Sequence, residues 1–272
     1  MIRLLEYFIY LNIVISTSAG LLIMGITNYF SIDNYILYGF FGFFSTLSVY
    51  NIQRLVKSNI NKKTPWLNWV SKHKKLVTII SCISSILAIL LFVSLITKLT
   101  PTIIILISIS ILISCFYVIK IKNKSLRELP YVKIHSIALT WTAIIVAFPL
   151  LNEHIYTWRV LIYFIPSHYL YFIAIAIPFD IRDLKYDLLS QRTIPQVVGV
   201  KCSKIISIIL LILSSIGLGV LFSPNLFTYL FVTAILVQVL FILFSAEKRQ
   251  EYYYSLFIDG AIGLLGLNYL IL

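Results

Sequence analysis

The stretch DIRDLKYD, residues 180–187, carries Asp180, Asp183 and Asp187, three of only ten acidic residues in the chain. It follows directly on the apolar run YLYFIAIAIPF. If the helix that this run predicts continues through the motif, spacings of three and four residues set the carboxylates within about 60° of one another, on one face. Carboxylates so placed repel one another unless a cation joins them. Oxygen ligands of this kind suit Mg2+, which usually takes one or two carboxylates together with water and substrate phosphates. A diphosphate is then the natural cargo. Spacing alone favours a simpler reading, a solvated helix end at which Arg182 and Lys185 balance the acids as near neighbours. Two features count against it: scarce acids are concentrated at one place, and Arg192, Thr193 and Pro195 follow as a shaped loop.

The elements that have to position this motif are those of a membrane protein. Mean hydropathy is +0.97, with 60% of residues hydrophobic and 12% charged; soluble domains carry roughly a quarter charged residues. A spanning helix needs about 20 mostly apolar residues. Nine such runs lie between charged or turn-forming breaks, near 7–28, 35–56, 76–97, 101–119, 133–151, 159–179, 203–222, 226–245 and 253–272. Transmembrane strands would be about ten residues long and alternating in character, whereas these runs are longer and uniformly apolar. The expectation is an all-α, polytopic membrane bundle of nine transmembrane helices, forming one domain over residues 1–272. The opening MIRLLEYFIYLNIVISTSAG shares features with a secretory leader, but its apolar run continues through Leu21-Leu-Ile-Met24 and is read as the first helix.

In this layout twenty of the 22 Lys and Arg fall on one side, leaving Lys98 and Arg159 opposite. The positive-inside rule then puts the N-terminus in the cytoplasm, the C-terminus outside and DIRDLKYD at the cytoplasmic face. The net charge of +12 is accounted for by topology and calls for no nucleic-acid partner. Lysines of the 57–75 stretch are expected at anionic lipid headgroups. Cys82, Cys115 and Cys202 fall in or beside predicted spans and read as packing residues, not as a disulfide framework.

Within this frame, FDIRDLKYDLLSQRTIPQVVGVKCSKII resembles the second aspartate-rich motif and following loop of the UbiA-type intramembrane prenyltransferases, through Asp180, Asp183, Asp187, Arg192, Thr193, Pro195 and Gly199. A second stretch, with Tyr117 and Lys120 in CFYVIKIK followed by Arg127 and Lys133, is similar to that family's loop between helices four and five, where a Tyr and basic residues face the substrate diphosphate. The resemblance implies a helical bundle around a central apolar cavity in a bacterial inner membrane. It implies Mg2+ held at Asp180, Asp183 and Asp187, an isoprenyl diphosphate bound by Tyr117, Lys120, Arg127, Lys133 and Arg192, and transfer of the isoprenyl group to a lipophilic or aromatic acceptor.

The chain departs from the family at the first aspartate motif, which falls in STLSVYNIQRLVKSNINKK. Asn51 matches the motif's Asn, but Ile52, Leu55 and Asn59 hold the carboxylate positions, and no acid occurs between Asp33 and Glu128. Three expectations follow. Arg54 and Lys57, with Asn51, bind the diphosphate in place of the missing metal; or the substrate differs; or the chain is a catalytically silent relative that binds a lipid or an assembly partner. Cyclisation of the isoprenyl diphosphate is a further alternative. Asp259, an acid inside the last predicted span, is a functional candidate by its placement, or a carboxylate hydrogen-bonded within the bundle. His135 and His168 are candidate bases for the acceptor's proton, or hydrogen-bonded constituents of the bundle. A transporter would carry matched Gly- or Pro-broken helices in two halves, and no matched pair is visible.

Overall fold

The computed structural model describes residues 2–58, 64–96, 100–122, 124–219, 221 and 226–271. It is 82% helical, with no strand among the described residues. In chain order the helices are α1 (Ile2–Tyr10), α2 (Ile13–Tyr29), α3 (Tyr35–Lys57), α4 (Pro65–Lys72), α5 (Lys74–Leu95), α6 (Pro101–Phe116), α7 (Val132–Asn152), α8 (Val160–Asp183), α9 (Ile194–Gly219), α10 (Leu226–Leu243) and α11 (Asp259–Leu270). Four of them, α5, α7, α8 and α9, are long and apolar enough to cross a membrane, and α2 and α6 are apolar but shorter. On α5 and α9 most of the apolar surface faces outward, including Ile86, Ile89, Val93, Ile205 and Ile216. A hydrocarbon solvent explains such a surface, which in water would drive association. The chain is a membrane protein.

The chain forms two compact units, Met1–Thr97 with Ser255–Leu270, and Lys98–Tyr254 with Ile271–Leu272. In the first unit α2 packs against both α3 and α11. A Cβ added at Gly25 would stand 2.1 Å from the Gly266 carbonyl oxygen, and one at Gly266 would stand 2.5 Å from the Leu21 backbone. Without a hydrophobic force between helices in lipid, such close backbone approach is a main source of adhesion. The first expected span, 7–28, is here two helices: Asn12 adopts φ 61° and breaks α1 from α2. Asn tolerates this left-handed conformation better than most residues, and Asn51 from α3 braces the break. Its Nδ2 donates to the Leu11 and Leu47 carbonyls at 2.9 and 3.0 Å, and its Oδ1 accepts from Asn12 Nδ2 at 2.9 Å.

In the second unit α8 packs against α7 on one side and α9 on the other. Pro178 lies inside α8 and has no N–H to give to the carbonyl of Ala174, four residues back. The Ser207 hydroxyl of α9 supplies the missing donor, at 2.6 Å from Ala174 O, with both residues fully buried. The span expected at 203–222 begins at Ile194 and kinks at Gly199, whose φ of 78° suits glycine alone. Ser207→Ala is expected to cost about 1–3 kcal/mol, the penalty for a buried carbonyl left unpaired. In a Pro178→Ala background the backbone N–H is restored and most of that cost should vanish. Thermal unfolding of the four proteins in detergent measures this coupling, and additive losses would rule it out.

Candidate functional site

The acidic motif and the segment before α7 meet in the second unit. α8 ends at Asp183, so the helix does not run through Asp187 as its spacing led us to expect. One further turn keeps the helical course, with Asp187 N–H donating to Asp183 O at 2.9 Å. The three aspartates therefore stay together. The group they surround is the side chain of Lys133, in the first turn of α7. Its Nζ lies 2.8 Å from Asp180 Oδ1, 2.5 Å from Asp187 Oδ2 and 3.8 Å from Asp183 Oδ2. The ammonium, Asp180 and Asp187 are almost wholly withdrawn from solvent, with side-chain exposures of 6%, 4% and 1%.

Two arginines complete the charge balance. Arg127 sits on a single 3-10 turn, Leu126–Glu128, which a reciprocal Ser125–Glu128 capping box holds in place. Its Nη2 donates to Asp187 Oδ1 at 3.0 Å, and its guanidinium lies 5.7 Å over the ring of buried Tyr117. Burial works against the Arg127 charge, but Tyr117, Asp187 and Asp183 outweigh it and raise its pKa. Arg182 grips Asp183 with two nitrogens, at 2.7 and 3.2 Å, and its guanidinium lies over the rings of Phe179 and Tyr254. Three carboxylates thus face three cations, a formally neutral set.

Of the residues singled out from the sequence, Asp180, Asp183, Asp187, Tyr117, Arg127 and Lys133 are brought together. Lys120 instead makes a 3.6 Å ion pair with Glu128, with the lysine half exposed. Arg192 is exposed on a left-handed turn, φ 47°, beside a cavity described below. Asn51, Arg54 and Lys57 belong to the first unit. There Asn51 braces the α1–α2 break, Arg54 stacks 3.9 Å over the Trp66 ring, and Lys57 ends α3, where a cation suits the helix dipole. Asn59 lies outside the described residues. His168 Nδ1 contacts the Phe164 carbonyl at 2.9 Å, and His135 Nδ1 contacts the Tyr169 hydroxyl at 2.7 Å. Asp259 is buried inside a helical run that begins at Glu251, away from any helix end. Sequence reasoning missed one participant, Gln191, and placed Thr193 in the loop after the motif without a contact of its own. The only signal for Gln191 was its position between two charged segments.

For a hard divalent cation the donor chemistry fits, since three carboxylates converge. The position between them is taken by the Lys133 ammonium. Among the described residues no group of three or more His, Cys, Asp or Glu is arranged to hold a metal ion. An ion placed among the aspartates would have to displace the Lys133 ammonium, a movement that its four-carbon stem would permit. No family model, curated protein or solved structure matches the chain.

Breaking a buried charge set by removing one member costs about 3–5 kcal/mol, because the remaining charges lose their counter-ion. Lys133→Met is therefore expected to destabilise by about that amount, while Lys120→Ala, at a half-exposed pair, changes stability by less than about 1 kcal/mol. Millimolar Mg2+ should stabilise Lys133→Met more than the parent, because the central position is then open. Thermal unfolding in detergent tests both statements; equal shifts for the two variants would remove the special role of Lys133.

Proposed function

We propose that this protein is an intramembrane transferase that moves an isoprenyl group from an isoprenyl diphosphate to a lipophilic or aromatic acceptor. The observation that supports this most is the meeting of two separate stretches, Asp180 to Asp187 with Tyr117, Arg127 and Lys133, whose partners lie up to 60 residues apart in sequence. Both stretches carry the likeness to UbiA-type enzymes, and their convergence is what a shared diphosphate site requires. The nine-span layout, with a cytoplasmic N-terminus and this cluster at the cytoplasmic face of an inner membrane, belongs to the same proposal.

The chemistry follows from exchange of partners. The oxygens of an incoming diphosphate compete with Asp187 for Arg127 and Lys133, and each cation that turns to the diphosphate releases a carboxylate. Asp180, Asp183 and Asp187, once released, would hold Mg2+, which would neutralise the charge gathering on the departing diphosphate. Lys133 and Arg127 orient that leaving group as the carbon–oxygen bond breaks. Exclusion of water would preserve the allylic cation until the acceptor attacks it, and the proton that the acceptor loses would pass to the released diphosphate.

A second reading, a silent relative that binds an isoprenoid lipid or an assembly partner, is favoured by one specific feature: Lys133 already satisfies the carboxylates. Release of diphosphate from a panel of isoprenyl diphosphates, with and without Mg2+ and acceptor, separates the two. Mg2+-dependent release that falls about 100-fold in Asp183→Asn supports the transferase. Release without any acceptor, with a cyclic hydrocarbon as the carbon product, identifies a cyclase, and no release from any substrate by the folded protein leaves the silent reading.

A further inference from the structure

Beside the Lys133–Asp180 pair, in the second unit, lies a cavity of about 70 Å3 whose other polar residues have no part in the transfer chemistry. Its inner wall is that ion pair, and Gln191 and Thr193 also line it. Both are buried, at 3% and 4% exposure, and neither Gln191 Oε1 nor Thr193 Oγ1 has a hydrogen-bond partner among the described residues. Buried polar atoms are nearly always paired, so two orphans lining one cavity call for an explanation. The Thr193 case is the more telling. A Thr immediately before a helix ordinarily spends its hydroxyl on capping that helix. Here Gln196 Oε1 accepts from the Thr193 N–H at 3.0 Å, and the hydroxyl is left over.

The backbone around the cavity is also specialised. Tyr131 and Arg192 both line it, and both hold left-handed φ angles, 65° and 47°, which are costly for residues other than glycine. The Tyr131 N–H donates to the Gln191 carbonyl at 2.9 Å, which ties the two strained turns to each other. Such conformations persist only where the surrounding structure over-determines them. The rest of the lining is Ile134, Ile173 and Ile194, and the opening is flanked by the exposed residues Tyr131, His135 and Arg192.

We propose that this cavity binds the hydroxyl end of an alcohol or phenol. A hydroxyl both donates and accepts, so it pairs with Gln191 and Thr193 whichever way the Gln191 amide is turned. The isoleucines take the carbon atoms next to the hydroxyl. A charged head group gains little here, because the Lys133–Asp180 wall is already a neutral pair. The site shares its Lys133–Asp180 wall with the proposed diphosphate site, but a hydroxyl held by Gln191 and Thr193 needs neither diphosphate nor metal.

Fluorine NMR of 4-fluorophenol titrated into the full chain in detergent tests the site without any turnover. Binding is expected to saturate, and 4-fluoroanisole, whose oxygen has lost its proton, should bind about tenfold more weakly. Thr193→Val and Gln191→Leu should each abolish that preference, while unfolding at the parent's temperature without ligand, because each removes an atom that nothing pairs. Titration that never saturates, as for a cavity that holds water only, overturns the proposal. So does equal affinity for the two probes, or a lowered unfolding temperature in the unliganded variants.

Discussion

An ammonium group among three carboxylates, out of reach of water, is the interaction on which the second unit depends. Each party would be costly alone. Lys133 stands in the first turn of α7, where the helix dipole repels a cation, and Asp180 and Asp187 carry negative charge into a nearly dry interior. Together they compensate, and the arginines add the two charges that a single lysine lacks. The cluster also does structural work at a distance in sequence. Through Arg127 it fixes the turn before α7, and through Asp187 it fixes the turn after α8. A neutral, fully partnered set of this kind specifies one arrangement of its loops, whereas a partly satisfied set would leave several.

This constraint shapes the functional account. A diphosphate site assembled from free cations and free carboxylates would be under strong internal repulsion when empty. A clamp closed by Lys133 avoids that repulsion, and under the proposed function the charge of the substrate would open it. The same clamp is what a silent relative would need to keep a stable fold after losing its substrate. The two readings thus share one structure and differ in whether a ligand draws Lys133 away. The neighbouring cavity is compatible with either, since its unpaired atoms belong to Gln191 and Thr193 and not to the ion pair.

Much of this was legible in the sequence, and the reason is periodicity. Long apolar runs predict helices, and the three- and four-residue spacing of Asp180, Asp183 and Asp187 predicts a shared face, which survives the end of α8 at Asp183 because one more turn follows. What local pattern does not encode is which cation meets the acids. Lys185 and Arg182 are the near candidates in sequence, yet the central position goes to Lys133, 54 residues away, because α7 packs on α8. Helix boundaries failed for equally local reasons. Asn12 breaks an apolar run without any polar neighbourhood to announce it, and Thr193-Ile-Pro195 reads as loop although it forms a helix start. Pro178 carries the opposite lesson: a breaker in sequence is tolerated in α8 because Ser207 supplies the donor that proline lacks.

The central claim is that the Lys133 ammonium is held by the aspartates and shielded from water. It can be observed directly by NMR of the protein labelled with nitrogen-15 at the lysine side chains, in detergent without metal. The account predicts one ammonium resonance that exchanges slowly with solvent, disappears in Lys133→Arg and shifts in both Asp180→Asn and Asp187→Asn. Rapid exchange of every lysine ammonium, with no response to either aspartate substitution, would contradict it.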